Sequence, residues 1–266
     1  MSLTLQTFPT TDAAGAALAA DGASRYLGGG TLVVRSTNEG DISFSRYVRA
    51  IDPALSAISV DDGRVTLGAS VTMGRLIADE RVKCLARAAH AVGGPAIRNM
   101  ATVGGNLYAP APYGDLGVAL LALDATVEIG GNSLPLGQFL KDRDTVHARS
   151  VLKNVSFNLP AEGALRFAKT ARVKPKGVSI VTIAAVIEES GGTITRARIA
   201  YGCMADRPMR ATAVEAALTG KPRTAEGIAD ALAVATEGTE PVTDAIASAW
   251  YRAQVLPVHL GRLLLA

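Results

Sequence analysis

The sequence predicts an α+β protein in two parts that meet near Pro160, and three observations carry that expectation. Short strand-like runs alternate with alanine- and leucine-rich helical runs before Pro160. Glycine pairs and triplets mark the corners between them. After Pro160 the texture changes: two β-rich runs, Val178–Glu188 and Thr193–Tyr201, flank Ser190-Gly191-Gly192 as an antiparallel hairpin, and helical stretches follow. At 266 residues the chain exceeds the usual domain size of roughly 100–200 residues, so a first domain over 1–160 and a second over 161–266 fit the length.

Taken in order, a polar cap at Thr11 or Asp12, an alanine-rich run and a stop at Asp21-Gly22 predict a short helix. Arg25–Leu27 reads as a strand running into Gly28-Gly29-Gly30, and Val65–Ala69 as another. Thr72–Ala91 predicts a long helix interrupted near Asp79-Glu80, with Gly93-Gly94-Pro95 as its stop. Leu116–Leu123 is apolar on every side and predicts a buried helix. Thr126–Ile129 then predicts a strand and Gly130-Gly131-Asn132 its turn. Helices are expected around Thr212–Leu218, Thr224–Glu237 and Asp244–Leu265.

Composition removes several classes of function. Twenty-seven basic residues against 24 acidic ones are scattered rather than clustered, which leaves no patch to neutralise a nucleic-acid backbone. Cys84 and Cys203 form no C-x-x-C pair, and His90, His147 and His259 are too dispersed for zinc or iron–sulfur ligation. Redox work here would need an organic cofactor. The longest apolar run, Leu116–Leu123, falls far short of the roughly 18 residues of a membrane span. No basic residue precedes Arg25 in a leader-like pattern, so a cytoplasmic, unprocessed chain is expected.

Two glycine loops break this plain texture. In Tyr26-Leu27-Gly28-Gly29-Gly30-Thr31-Leu32-Val33-Val34, three glycines after a strand let the backbone turn tightly and present its N–H groups to an anion. A glycine hairpin or bulge would use the same residues. The run matches neither the G-x-G-x-x-G fingerprint, because Val33 takes the last position, nor a P-loop. The second loop, Ile97-Arg98-Asn99-Met100-Ala101-Thr102-Val103-Gly104-Gly105-Asn106-Leu107, sets a Gly-Gly step between a hydroxyl and an amide, with Asp115 nine residues beyond Asn106. Asp115 suits a ligand or the N-cap of the Leu116–Leu123 helix.

Together the loops resemble those of the FAD-binding, or medium, subunit of the molybdenum hydroxylases, the group that includes carbon monoxide dehydrogenase, xanthine dehydrogenase and aldehyde oxidoreductases. The resemblance spans essentially the whole chain and is most specific from Ile97 through Asn106 to Asp115 and Leu120–Ala125. It implies a two-subdomain FAD-binding fold of the vanillyl-alcohol oxidase-like type, split near residue 53, followed by an antiparallel-sheet-and-helix domain.

Carried over residue by residue, the resemblance implies that Leu27, Gly28, Gly29, Gly30, Thr31, Leu32, Val33 and Val34 hold the FAD diphosphate together with Thr102, Val103, Gly104, Gly105 and Asn106. Asp115 would sit by the adenosine or flavin, and Val92 and Leu152 would give apolar contacts to the ring. Lys169, within Phe167-Ala168-Lys169 and ahead of Arg172, would lie beside the flavin, where a cation stabilises the reduced anionic ring; a solvated surface lysine is the plain alternative. A Cβ at Gly104 or Gly105 is expected to fill the diphosphate's space and to conflict with a positive φ.

The sequence also departs from the family pattern. Leu32–Thr37 lacks the usual polar continuation, Arg172-Val173 replaces an Arg-Arg pair, and Lys174–Val178 lacks the usual aspartate. The resemblance implies an FAD-carrying electron-transfer role, with a molybdenum-pterin cofactor on a large subunit and [2Fe–2S] clusters on a small one, in a dimer of heterotrimers. Two other readings stand beside it: a stand-alone flavin oxidoreductase using Tyr108, Tyr113 or Tyr201, and a flavin-free scaffold.

Overall fold

The computed structural model describes residues 3–173 and 177–266, so residues 174–176 of the Lys174–Val178 departure lie outside the described residues. The chain begins with a small parallel unit. Strands β1 (Thr4–Phe8) and β2 (Ser24–Tyr26) both pair in parallel with β3 (Arg46–Ala50), and helices α1 (Thr11–Ala20) and α2 (Val33–Asn38) make the crossovers. The α1 cap is Thr10, whose side chain accepts from the Ala13 amide, one residue earlier than the sequence suggests.

After a 3-10 turn at Pro53–Ser56 comes an antiparallel sheet of β4 (Ile58–Asp61), β5 (Arg64–Gly68), β6 (Thr126–Ile129), β7 (Asn132–Pro135) and β8 (Leu152–Asn158), in the order β4-β5-β8-β6-β7. Between β5 and β6 run α3 (Met73–Ala78), α4 (Ala86–His90), α5 (Pro95–Met100), α6 (Val103–Tyr108) and α7 (Asp115–Ala122), while α8 (Leu136–Asp142) joins β7 to β8.

The helix expected over 72–91 with an interruption near Asp79-Glu80 is interrupted there, into α3, a 3-10 stretch and α4. The Asp79 carboxylate takes the Arg81 amide and Val82 leaves helical geometry at φ −122°. The stop expected at Gly93-Gly94-Pro95 holds, since α4 ends at His90 and Gly93 takes φ +56°, and Pro95 also opens α5, where its missing N–H and fixed φ suit the first position.

The third unit is an antiparallel sheet of β9 (Leu165–Ala171), β10 (Ser179–Ser190), β11 (Thr193–Gly202) and β12 (Met209–Arg210), with α9 (Thr212–Leu218), α10 (Ala229–Ala233) and α11 (Ala249–Leu265) on one side. β10 is buried on both faces over most of its length. Its Ala184 and Val186 join the core of the first two units, while Ile183, Ala185 and Ile187 join a second core with Leu256 and Leu260. Every residue of α7 is buried, between β10 and β11 and the second unit. Leu116, Leu120 and Leu121 each contribute about 1.5–3 kcal/mol through that burial.

Two helices are shorter than expected. Over 224–237 only α10 forms, because the chain folds back so closely at Gly227 that a Cβ there would lie 2.0 Å from the Pro222 carbonyl oxygen. Asp244 is not helical, since its carboxylate takes the Ile246 and Ala247 amides, and α11 starts only after Ser248 caps it.

Candidate functional site

A cleft of about 900 Å³ runs between the three units, in the upper range of small-molecule sites at ~300–1,000 Å³. One wall is the first glycine loop. Leu27 donates its amide to Val48 and closes the sheet; the amides of Gly28, Gly29, Gly30, Thr31 and Leu32 then find no partner among the described residues. This run of free N–H groups bends at Gly30, whose φ of +76° favours glycine, and is backbone of the kind that can receive an anion. The close approach is enforced at Gly29, where a Cβ would stand 1.8 Å from the Met100 carbonyl oxygen.

The second glycine segment does something different from what its composition suggests. It is not a loop: Thr102 caps α6, with its Oγ1 accepting from the Gly105 amide at 3.1 Å. Val103 donates to Val71, Gly104 to Ala69 and Asn106 to Thr102, so the amides of this turn are already used. Neither Gly104 nor Gly105 has a positive φ. A Cβ on Gly104 would meet Ala69 Cβ at 3.0 Å, away from the cleft, so this glycine serves the packing of α6 on the turn after β5; Gly105 does line the cleft. The expectation that a side chain at Gly104 invades cofactor space is thereby corrected.

Asn106 and Asp115 form the floor. The Asn106 Oδ1 accepts from the Leu116 amide at 2.9 Å and from Gly117 at 3.3 Å, capping α7 through space. Gly114 occupies the formal cap at φ +94°, which frees the Asp115 side chain from capping. Asp115 is instead held by the third unit. Lys169 Nζ donates to its Oδ2 at 2.8 Å, and the Ser179 and Thr182 hydroxyls donate to its Oδ1 at 2.6 and 2.7 Å. Both partners of the ion pair are largely buried, with side-chain exposures of 11% and 8%, so Lys169 is not the solvated surface lysine of the plain alternative.

The structure brings Gly28 to Val33, Val92, Thr102, Gly105, Asn106, Asp115 and Lys169 to one cleft. Leu27, Val34, Val103, Gly104 and Leu152 do not line it: Val103 and Leu152 belong to the core, and Leu27 and Val34 pack behind Gly30. Sequence reasoning missed Ser179, Thr182 and Arg149. Arg149 lines the cleft but uses its guanidinium on the α1 end, with Nε donating to the Leu18 carbonyl at 2.7 Å, and so ties the first unit to the second.

The tyrosines differ in availability. Tyr108 donates to the His147 and Ser150 carbonyls and burial pushes its pKa up; Tyr201 is buried without a partner among the described residues, and burial raises its pKa too. Tyr113 is exposed at the mouth and accepts from Arg35.

Cys203 lies near Asp115 with its Sγ donating towards the Ser179 and Pro112 carbonyls. Burial, with the Asp115 carboxylate adding to it, pushes the thiol up to about 12. At pH 8 the thiol is therefore neutral, and Cys203 is expected to resist iodoacetamide in the native protein and to react once denatured. Peptide mass analysis after labelling checks this, and carbamidomethylated Cys203 in folded protein would contradict it.

Unpaired backbone amides and a buried lysine–carboxylate pair share this cleft, a donor set of the kind that suits a phosphate-bearing organic cofactor. Residues 5–160 match the family described as FAD binding domain in molybdopterin dehydrogenase, and residues 166–266 match the CO dehydrogenase flavoprotein C-terminal domain. The chain belongs to this family of FAD-binding subunits of molybdenum hydroxylases. It is 30% identical over 187 residues to the nicotinate dehydrogenase FAD-subunit of Eubacterium barkeri, covering 65% of this chain and 63% of that relative, so the match spans somewhat under two thirds of the relative's length.

Among solved structures, it superposes on carbon monoxide dehydrogenase of Hydrogenophaga pseudoflava lacking the Mo-pyranopterin moiety of its molybdenum cofactor. The TM-score is 0.91 at 25% identity, covering 99% of this chain and 96% of that one. Quinoline 2-oxidoreductase from Pseudomonas putida 86 gives a TM-score of 0.89 at 27% identity, covering 100% and 96%. Among the described residues no helix is long and apolar enough to cross a membrane.

Proposed function

We propose that this chain holds FAD in the cleft and is the electron-transfer subunit of a cytoplasmic molybdenum hydroxylase, a dimer of heterotrimers with a large molybdenum-pterin subunit and a small [2Fe–2S] subunit. The observation that carries the reading is the placement of five consecutive free amides, Gly28 to Leu32, in the same cleft as the Lys169–Asp115 pair. The amides suit a diphosphate and the ammonium suits an electron-rich ring edge.

In this reading Gly28 to Val33 cradle the diphosphate, helped by Thr102, Gly105 and Asn106. Lys169, Asp115 and Val92 stand by the flavin or adenosine, and Leu27, Val34, Val103, Gly104 and Leu152 support these contacts from behind. Residues 1–160, split near 53, make the FAD-binding part and 161–266 the C-terminal domain. FAD, when bound there, would supply the redox chemistry that connects single-electron clusters to an external acceptor. The protein's own residues orient it and keep water from it.

A stand-alone oxidoreductase has less support, because the Tyr108 hydroxyl is bound to two carbonyls and Tyr201 is buried away from the cleft lining. The test is anaerobic reduction. When the complex purified from the native host receives the molybdenum subunit's substrate, the flavin absorbance is expected to bleach, whereas the isolated chain with the same substrate stays yellow. Bleaching of the isolated chain would refute the subunit reading.

A further inference from the structure

The Asp115 carboxylate is reached by two hydroxyls that a regular strand would separate. Ser179 and Thr182 are three residues apart on β10, and side chains at odd spacing point to opposite faces of a sheet. The pairing of β10 with β9 slips between Ser179 and Val181: Ser179 faces Ala171 and Val181 faces Thr170, leaving Ile180 as the extra residue. This bulge turns Ser179 to the side of Thr182, and bulges characteristically re-aim a side chain. Both hydroxyls then donate to the same oxygen, Asp115 Oδ1, and both residues are fully buried.

The other carboxylate oxygen is left to Lys169, which stands directly opposite Thr182 on β9. Lys169 Nζ has three N–H donors; one goes to Asp115 Oδ2 and one to the Ala91 carbonyl, each at 2.8 Å. The third finds no partner among the described residues, and Lys169 lines the cleft. Two anchors thus fix where the remaining donor and the positive charge point.

We propose that Ser179 and Thr182 are positioning residues for the flavin: through Asp115 Oδ1 they set the aim of the Lys169 ammonium and the net charge it presents to the cleft. The inference rests on the reading that Lys169 faces the bound flavin. Each hydroxyl proton offsets part of the carboxylate's negative charge, so its removal leaves the site more negative. A more negative site stabilises the reduced, anionic flavin less and lowers its midpoint potential.

The test is a spectroelectrochemical titration of the complex carrying Thr182→Val, Ser179→Ala, Thr182→Ser or Lys169→Met, with the FAD-to-chain ratio measured alongside. Thr182→Val and Ser179→Ala are expected to keep FAD and to titrate at a lower potential than the parent. Thr182→Ser, which restores the hydroxyl, is expected to titrate with the parent, and Lys169→Met lower still. Should Lys169→Met shift while Thr182→Val and Ser179→Ala titrate with the parent, or should either hydroxyl variant move upward, the positioning role is overturned and the lysine reading survives. An unshifted Lys169→Met overturns the lysine reading itself. Loss of FAD from Thr182→Val that Thr182→Ser repairs supports the hydroxyl's role, whereas equal loss from both assigns Thr182 to packing and overturns it.

Discussion

Gly29→Ala is expected to strip the protein of FAD. Its Cβ would lie 1.8 Å from the Met100 carbonyl oxygen, 2.6 Å from the Met100 carbonyl carbon and 3.2 Å from Ala101 Cα, all main-chain atoms. That stretch has no room to retreat: the Ala101 amide donates to Ile97 at 2.7 Å, and the Ala101 carbonyl accepts from Met73 at 2.9 Å. The glycine loop must therefore move, and its aligned amides move with it. Overpacking of this kind costs about 1–3 kcal/mol or more, and a loss of about 1.4 kcal/mol in binding is already tenfold in affinity. The FAD-to-chain ratio after desalting reads the effect. Gly15→Ala is the control, because nothing lies within 4 Å of its added Cβ and flavin content is expected to stay at the parent level.

Asp115→Ala is expected to give the largest loss of stability. It leaves the Lys169 ammonium largely buried with only the Ala91 carbonyl as partner, and it orphans the Ser179 and Thr182 hydroxyls. Removing one partner of a buried pair costs about 3–5 kcal/mol. At roughly 2–4 °C per kcal/mol for a chain of this size class, the melting temperature should fall by about 6–20 °C. Thermal unfolding of the flavin-free protein measures it without interference from cofactor loss. By contrast, Glu39→Ala breaks an exposed pair with Arg35 on α2 and is expected to leave the melting temperature unchanged. An Asp115→Ala protein as stable as the parent would mean that the network is not a buried electrostatic unit.

What was legible in the sequence followed from local rules. The hairpin of β10 and β11 announced itself by β-branched runs around Gly191-Gly192, and α7 by an apolar stretch with no polar face. The three glycines of the first loop were readable as a tight turn, which Gly30 makes at a positive φ, whereas the contact of Gly29 with Met100 was not.

The second glycine segment was harder to read. The same composition serves a phosphate loop and a tightly packed helix start, and only the Ala69 contact of Gly104 distinguishes them. Ser179 and Thr182 were invisible because their common aim depends on a register slip between neighbouring strands, and a slip leaves no local signature in a β-branched run. Arg149 was hidden for a related reason: it bonds carbonyls about 130 residues away, at Leu18. The helix break at Asp79 was read from the sequence, and the one at Asp244 was readable by the same rule, since aspartate competes for nearby amides.

We propose above all that the cleft between the three units holds FAD. The most direct test is the FAD-to-chain ratio of the purified, desalted protein, measured by absorbance of the flavin released on denaturation. One FAD per chain is the expected result, obtained as purified or after incubation with FAD. A folded chain with a cooperative thermal transition that carries no flavin and takes up none when FAD is supplied would contradict it.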